Sequence, residues 1–239
     1  MNNYIEDLYE AFKNVDTSFY STESIKLPES FFNDLIPKAT YIQQTELHFS
    51  TELYAEWRQI IKSKDNGYDN LKIGFETSKK FVKNIFIADQ KTFKPDLILH
   101  QSQIDFQPDL QKIYIEVKTN NSLNAKKILH DIKKIVFAMK QYEFQNGVFI
   151  SLNCKIDRLL ILIAEVKIKV ENLTQKNETE LWDNIYLFYG KKNGIKQILK
   201  FNDPSISLYP NFECLKKFNA EKYDPTAAIH KTVTSIHNP

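Results

Sequence analysis

Between residues 123 and 142, Ile128, Leu129, Ile132, Ile135, Val136 and Met139 recur at helical spacing and share one face. Before this helix stands Ile113-Tyr114-Ile115-Glu116-Val117-Lys118, which alternates as a strand does. After it come Gly147, read as the helix stop, and Val148-Phe149-Ile150-Ser151-Leu152, an apolar run of strand length. An amphipathic helix between two strands is the building unit of an α/β fold, here expected as a mixed central β-sheet flanked by α-helices.

The remaining elements are placed around this unit. Tyr4, Ile5, Leu8 and Phe12 suggest a short N-terminal helix, within a helical extension over 1–35. Ile42, Phe49, Leu53, Trp57 and Ile60 form one stripe of a helix over about 41–63. Residues 71–88 read as two extended pieces or one long bent strand. Pro95-Asp96-Leu97-Ile98-Leu99-His100 is a strand opening on a proline, where the missing N–H is tolerated. Residues 156–171 are ambiguous, apolar first and alternating later; a helix is preferred because a buried strand should be followed by a crossover. Ile185–Tyr189 and Ile195–Phe201 are strand candidates that pair across Lys191-Lys192-Asn193-Gly194. Without internal repeats, 1–239 is taken as a single domain, with its core at about 40–190 and an irregular tail over 202–239.

Composition narrows the function classes. With 42% hydrophobic and 13% aromatic residues, the chain is not disordered. A net charge of +2 excludes a polycation, although 30 lysines against 2 arginines leave room for a local basic face. Cys154 and Cys214 offer neither a zinc knuckle nor a disulfide framework, and the five histidines lack ligand spacing. No segment reaches about 18 consecutive apolar residues, and the acidic start Met1-Asn2-Asn3-Tyr4-Ile5-Glu6-Asp7 is unlike a signal peptide. A cytoplasmic protein with no membrane partner is expected.

The residues that carry chemistry lie on the two strands before the long helix. Glu116 and Lys118 are two apart and emerge on one face, with Ile115 and Val117 on the other. If the Pro95-Asp96 strand pairs beside them, Asp96 arrives next to Glu116. Two carboxylates at a strand end suit a hard divalent cation, and a neighbouring lysine can orient water or offset developing phosphorane charge. A second Glu-x-Lys, Glu165-Val166-Lys167, has no comparable Pro-Asp strand upstream. A second Pro-Asp, Pro108-Asp109, is too close to Glu116 to form its own paired strand.

Lys94-Pro95-Asp96-Leu97-Ile98-Leu99 and Tyr114-Ile115-Glu116-Val117-Lys118-Thr119, followed by the helix around His130-Asp131-Ile132-Lys133-Lys134, resemble the PD-(D/E)XK nuclease superfamily. The resemblance covers about 40–152, and more weakly continues to about 190. It implies a restriction-endonuclease-like core in which Asp96, Glu116 and the Val117 carbonyl hold Mg²⁺ (or Mn²⁺) and Lys118 positions the attacking water. The superfamily often adds a glutamate from the preceding helix. Glu46 falls in the apolar stripe, where a charge needs a cation or partner; Glu52 faces the polar side, so Glu46 is preferred over Glu52.

On the helix 123–142, Lys126, Lys127, His130, Lys133 and Lys134 share the face opposite the apolar stripe. These lysines are either a solubilising surface or, for Lys126, Lys127, Lys133 and Lys134, contacts to nucleic-acid phosphates. Tyr114 either lines the site or packs beneath it. The expected activity is hydrolysis of phosphodiesters, with DNA favoured over RNA, in a bacterial restriction, anti-phage defence or DNA-processing role. A homodimer mate or a partner protein would supply sequence specificity. The alternative is an inactive nuclease-fold module for nucleic-acid binding or complex assembly.

Overall fold

The computed structural model describes residues 3–20, 38–64, 68–75, 95–101, 108–119, 123–171, 179–191 and 193–207. Helix α1 (Asn3–Asn14) is followed by a 3₁₀ turn (Thr17–Phe19), α2 (Lys38–Ser63), β1 (Leu71–Phe75), β2 (Leu97–Gln101) and β3 (Gln111–Lys118). Then come α3 (Ala125–Gln141), β4 (Asn146–Leu152), α4 (Ile156–Glu171), β5 (Ile185–Gly190) and β6 (Lys196–Lys200), with single-turn helices at Thr179–Trp182 and Pro204–Ser207. The strands form one six-stranded sheet in the order β1-β2-β3-β4-β5-β6. β2 runs antiparallel to both β1 and β3, β3, β4 and β5 are parallel, and β6 returns antiparallel to β5. Each parallel pair requires a crossover, which α3 and α4 supply. The chain is therefore α/β, with helices on both faces of a mixed sheet.

Strand alternation divides the core into two layers. Ile113, Ile115 and Val117 join Val148, Ile150 and Phe188 beneath α1 and α2, where Leu8, Phe12, Phe49, Leu53 and Trp57 are buried. Tyr114, Phe149 and Leu187 face the other way, against Ile128, Ile132 and Ile135 of α3 and Leu159 and Ile163 of α4. Glu116 and Lys118 lie on this second face, where the polar end of β3 meets α3. Further polar contacts fasten α1: buried Asp7 pairs with Lys64 at the end of α2 and accepts from the Tyr68 hydroxyl at 2.7 Å, while Lys196 of β6 donates to Lys13 O at 2.8 Å and to Val15 O.

Several expectations change. Gly147 does not stop the helix; it is the second residue of β4, and α3 ends at Gln141 with Tyr142 as its cap. Its hydrogen atom serves packing instead, because a Cβ there would run into Ile135 Cγ2 and stand 3.2 Å from Met139 Sδ. The stretch 156–171 is the helix α4, as preferred from the sequence, and Glu165 of the second Glu-x-Lys pairs with Lys169 at 2.5 Å along one helix face. Pro108-Asp109 opens a 3₁₀ turn (Pro108–Leu110) leading into β3. The extended piece at 81–88, residues 21–35 of the N-terminal extension, the side chain of Ile42 and residues 208–239 of the tail lie outside the described residues. Among the described residues, no helix is long and apolar enough to cross a membrane.

The close approach of α3 to β4 gives a stability prediction. Gly147→Ala should cost about 1–3 kcal/mol in denaturant unfolding, the usual range for overpacking. Ile135→Ala placed in the same chain should recover part of that loss. Equal stability of Gly147→Ala and the parent would show that the helix does not rest on this glycine.

Candidate active site

Asp96 owes its position to the pairing of β2 with β3. The antiparallel register sets Leu97 opposite Ile115, and Asp96, one residue earlier, is clasped to β3 twice. Its N–H donates to Ile115 O at 3.1 Å, and its Oδ2 accepts from Val117 N–H at 2.6 Å. The preceding Pro95 is buried and has no N–H to satisfy. Local backbone bonding thus brings the Asp96 carboxylate to the strand that carries Glu116 and Lys118.

Glu116 is 1% exposed and is gripped through Oε1 by the Tyr114 hydroxyl at 2.9 Å and Lys134 Nζ at 2.5 Å. Tyr114 is two residues back on the same strand face, and its ring packs edge-on against Phe144 with centroids 5.7 Å apart. It therefore both supports the site and fills the core. Lys118 Nζ donates to Val117 O at 2.9 Å and stands 3.7 Å from Asp131 Oδ2 and 3.9 Å from Glu46 Oε2. Glu46 comes from α2, and its Oε1 accepts weakly from Thr119 N–H at 3.4 Å. The structure thus brings Glu46, Asp96, Glu116, Val117 and Lys118 together. Glu52 and Glu56 are half-buried elsewhere along α2.

The lysines of α3 do not act as one set. Lys126, Lys127, Lys133 and His130 are exposed, but Lys134 turns inward to Glu116, so its expected place on the solvated face is corrected. The sequence expectation put Lys134 with the other lysines, and the end of β3 places a charged residue within its reach.

Asp131 is the member that sequence reasoning passed over. It is 4% exposed, and its Oδ1 is 3.9 Å from Lys134 Nζ while its Oδ2 has no hydrogen-bond partner. A signal was present: at 100° per residue, Asp131 falls about 40° from Ile135 and about 20° from Ala138, at the edge of the apolar stripe. The same cost of an unpaired charge that singled out Glu46 applies to it.

Electrostatics follow from burying these groups together. Burial pushes Glu116 up from its ordinary 4.5 to about 8, with Asp96 and Asp131 adding to the rise and Lys134 opposing it. Asp96 is also raised by burial, against the pull of Lys118 and the Val117 N–H. Glu46 is raised by burial and lowered in part by Lys118. Burial works against the Lys118 ammonium, but Asp131, Glu46, Asp96 and Glu116 outweigh it and hold the amine charged. Desolvation raises the Tyr114 phenol, and the Glu116 charge adds to it, so Tyr114 remains a donor.

These residues fit a divalent cation on chemical grounds. Four carboxylates, Glu46, Asp96, Glu116 and Asp131, face two ammonium groups, Lys118 and Lys134, leaving a formal deficit of two positive charges when all are ionised. Burial raises the affinity of Glu46, Asp96 and Glu116 for protons, and the neighbouring acids add to it. Among the described residues, no group of three or more His, Cys, Asp or Glu side chains is arranged to hold a metal ion. Two carboxylates, Asp96 and Glu116, with the Val117 carbonyl and water, could hold a hard oxygen-seeking ion.

The Glu116 shift predicts a pH dependence for the metal-free protein. Between 4.5 and about 8 the folded chain keeps a proton that the unfolded chain releases, so stability falls as pH rises through that window. Glu116→Gln should flatten the slope of unfolding free energy against pH measured in chelator; an unchanged slope would show that another group sets it.

No family model, curated protein or solved structure matches the chain, so its functional reading rests on the geometry of this site.

Proposed function

We propose that the chain is a divalent-metal-dependent nuclease built on a restriction-endonuclease-like core, hydrolysing phosphodiester bonds with DNA as the favoured substrate. The observation that carries the reading is the clasp of Asp96 onto Val117, which sets a Pro-Asp carboxylate beside Glu116 and Lys118 at the end of one strand pair. The element order supports it as well: a carboxylate-bearing helix, three antiparallel strands, a crossover helix and a parallel strand.

In this reading Asp96, Glu116 and the Val117 carbonyl hold Mg²⁺ or Mn²⁺, with Glu46 reaching it through water. The bound ion supplies positive charge to the scissile phosphate and to the water that attacks it. Lys118, kept protonated by its four acidic neighbours, orients that water and stabilises the added negative charge in the transition state. Tyr114 holds Glu116 through its hydroxyl and excludes solvent from the carboxylate's inner side. Lys126, Lys127 and Lys133, exposed on α3, bind backbone phosphates. Sequence specificity comes from a dimer mate or partner protein, because two arginines give this chain little capacity for bidentate guanine readout. A bacterial restriction, anti-phage defence or DNA-processing role rests on analogy of fold alone.

A second reading, a nuclease fold that binds nucleic acid without cutting it, draws on the Lys134–Glu116 pair, which already satisfies one of the two carboxylates. Supercoiled plasmid, linear DNA and RNA incubated with Mg²⁺, Mn²⁺ or chelator separate the two. Cleavage that needs the metal and falls about 100-fold or more in Asp96→Ala and Lys118→Ala supports the nuclease. Cleavage unaffected by both substitutions places the chemistry at another centre, and binding without cleavage under either metal selects the second reading. Replacing Lys126, Lys127 and Lys133 with Gln should lower the slope of log K against log salt by about 0.9 for each phosphate that the variant no longer neutralises. An unchanged slope would leave those lysines as a solvated face.

A further inference from the structure

We propose that Lys134 is a built-in counter-ion for ionised Glu116 and that Asp131 receives its ammonium group when a divalent cation takes the carboxylate. The inference rests on the metal-dependent reading above and concerns the same site. Lys134 Nζ is 2.5 Å from Glu116 Oε1 and 3.9 Å from Asp131 Oδ1, so one lysine stands between two acids. Asp131 and Lys134 are three residues apart on α3, and helix geometry keeps them neighbours whatever Glu116 is bonded to. A lysine head on a four-carbon stem can shift between two acceptors without movement of the backbone.

The buried surroundings make the second acceptor necessary. Lys134 is 18% exposed and Glu116 1%, and separating such a pair leaves an uncompensated charge unless each partner finds another. The incoming cation serves Glu116. Asp131 serves the lysine, and its Oδ2, buried with no hydrogen-bond partner, shows that its accepting capacity is unfilled. Asp131 also lies 3.7 Å from Lys118, whose present bond to Val117 O is the other interaction that a cation at this carbonyl would crowd. One carboxylate thus stands within reach of both ammonium groups.

Mn²⁺ binding to the metal-free protein, measured by titration calorimetry, tests this without any assay of activity. Lys134→Met should bind Mn²⁺ about tenfold tighter, and Asp131→Asn about tenfold weaker, than the parent. In the Lys134→Met chain, where no ammonium awaits a new partner, Asp131→Asn should have a several-fold smaller effect. Fully additive effects of the two substitutions would mean that they act only as distant charges, and would overturn the transfer. Absence of Mn²⁺ binding in the parent, or binding unchanged by Asp96→Ala, would instead remove the metal-dependent reading and the transfer with it. If Lys134→Met does not fold, ¹³C-labelled lysine spectra of the parent serve instead, with the Lys134 resonance assigned through Lys134→Arg. Its ε-carbon signal should move in step with Mg²⁺ binding, and a stationary signal would overturn the transfer.

Discussion

Desolvated negative charge at the end of β3 governs how the neighbouring elements are arranged. Glu116 is nearly sealed from solvent, Asp131 is buried opposite it, and Asp96 and Glu46 approach from two other elements. Carboxylates packed in this way repel one another and lose water that would have solvated them. Lys118 and Lys134 answer that cost from β3 and α3, and Tyr114 and the Val117 N–H answer it with hydrogen bonds. A protein selected only for stability would have little reason to assemble such a group, since buried ionic clusters seldom stabilise more than apolar packing of the same shape. Strained electrostatics of this kind gather where a charged ligand is handled.

The sheet turns that cost into a site of defined shape. Two apolar layers clamp β3 from both sides, so its alternation cannot slip by one residue without moving Ile113, Ile115 and Val117 out of the core. The same register fixes Asp96 through backbone bonds to Ile115 and Val117. On the opposite face, the packing of Ile135 against Gly147 sets how closely α3 lies over β4, and so how far Lys134 and Asp131 project toward Glu116. Core packing and site geometry are therefore linked through one helix.

Periodicity made most of the framework legible. The stripe of α3, the alternation of β3 and the apolar run of β4 each repeat long enough to choose helix or strand, and together they imply the parallel crossover. The spacing of Glu116 and Lys118 gave their common face for the same reason. Gly147 was misread because a glycine after a helix more often ends it, whereas this one accommodates a side chain from a helix packed across the strand. Lys134 was misassigned because angular position on a helix says which residues are neighbours, not where the facing sheet runs out. Asp131 was legible but overlooked: a buried acid at the edge of an apolar stripe signals a partner, and its partners are brought by β3, Lys118, and by the next turn of α3, Lys134.

A divalent cation at Asp96, Glu116 and Val117 would complete this acidic group. Crystals soaked in Mn²⁺ and measured at the manganese absorption edge test it most directly. A single strong anomalous peak is expected at oxygen-ligand distance from the carboxylates of Asp96 and Glu116 and from the Val117 carbonyl. A peak elsewhere, or none with Lys134 still bonded to Glu116 at saturating Mn²⁺, would contradict it.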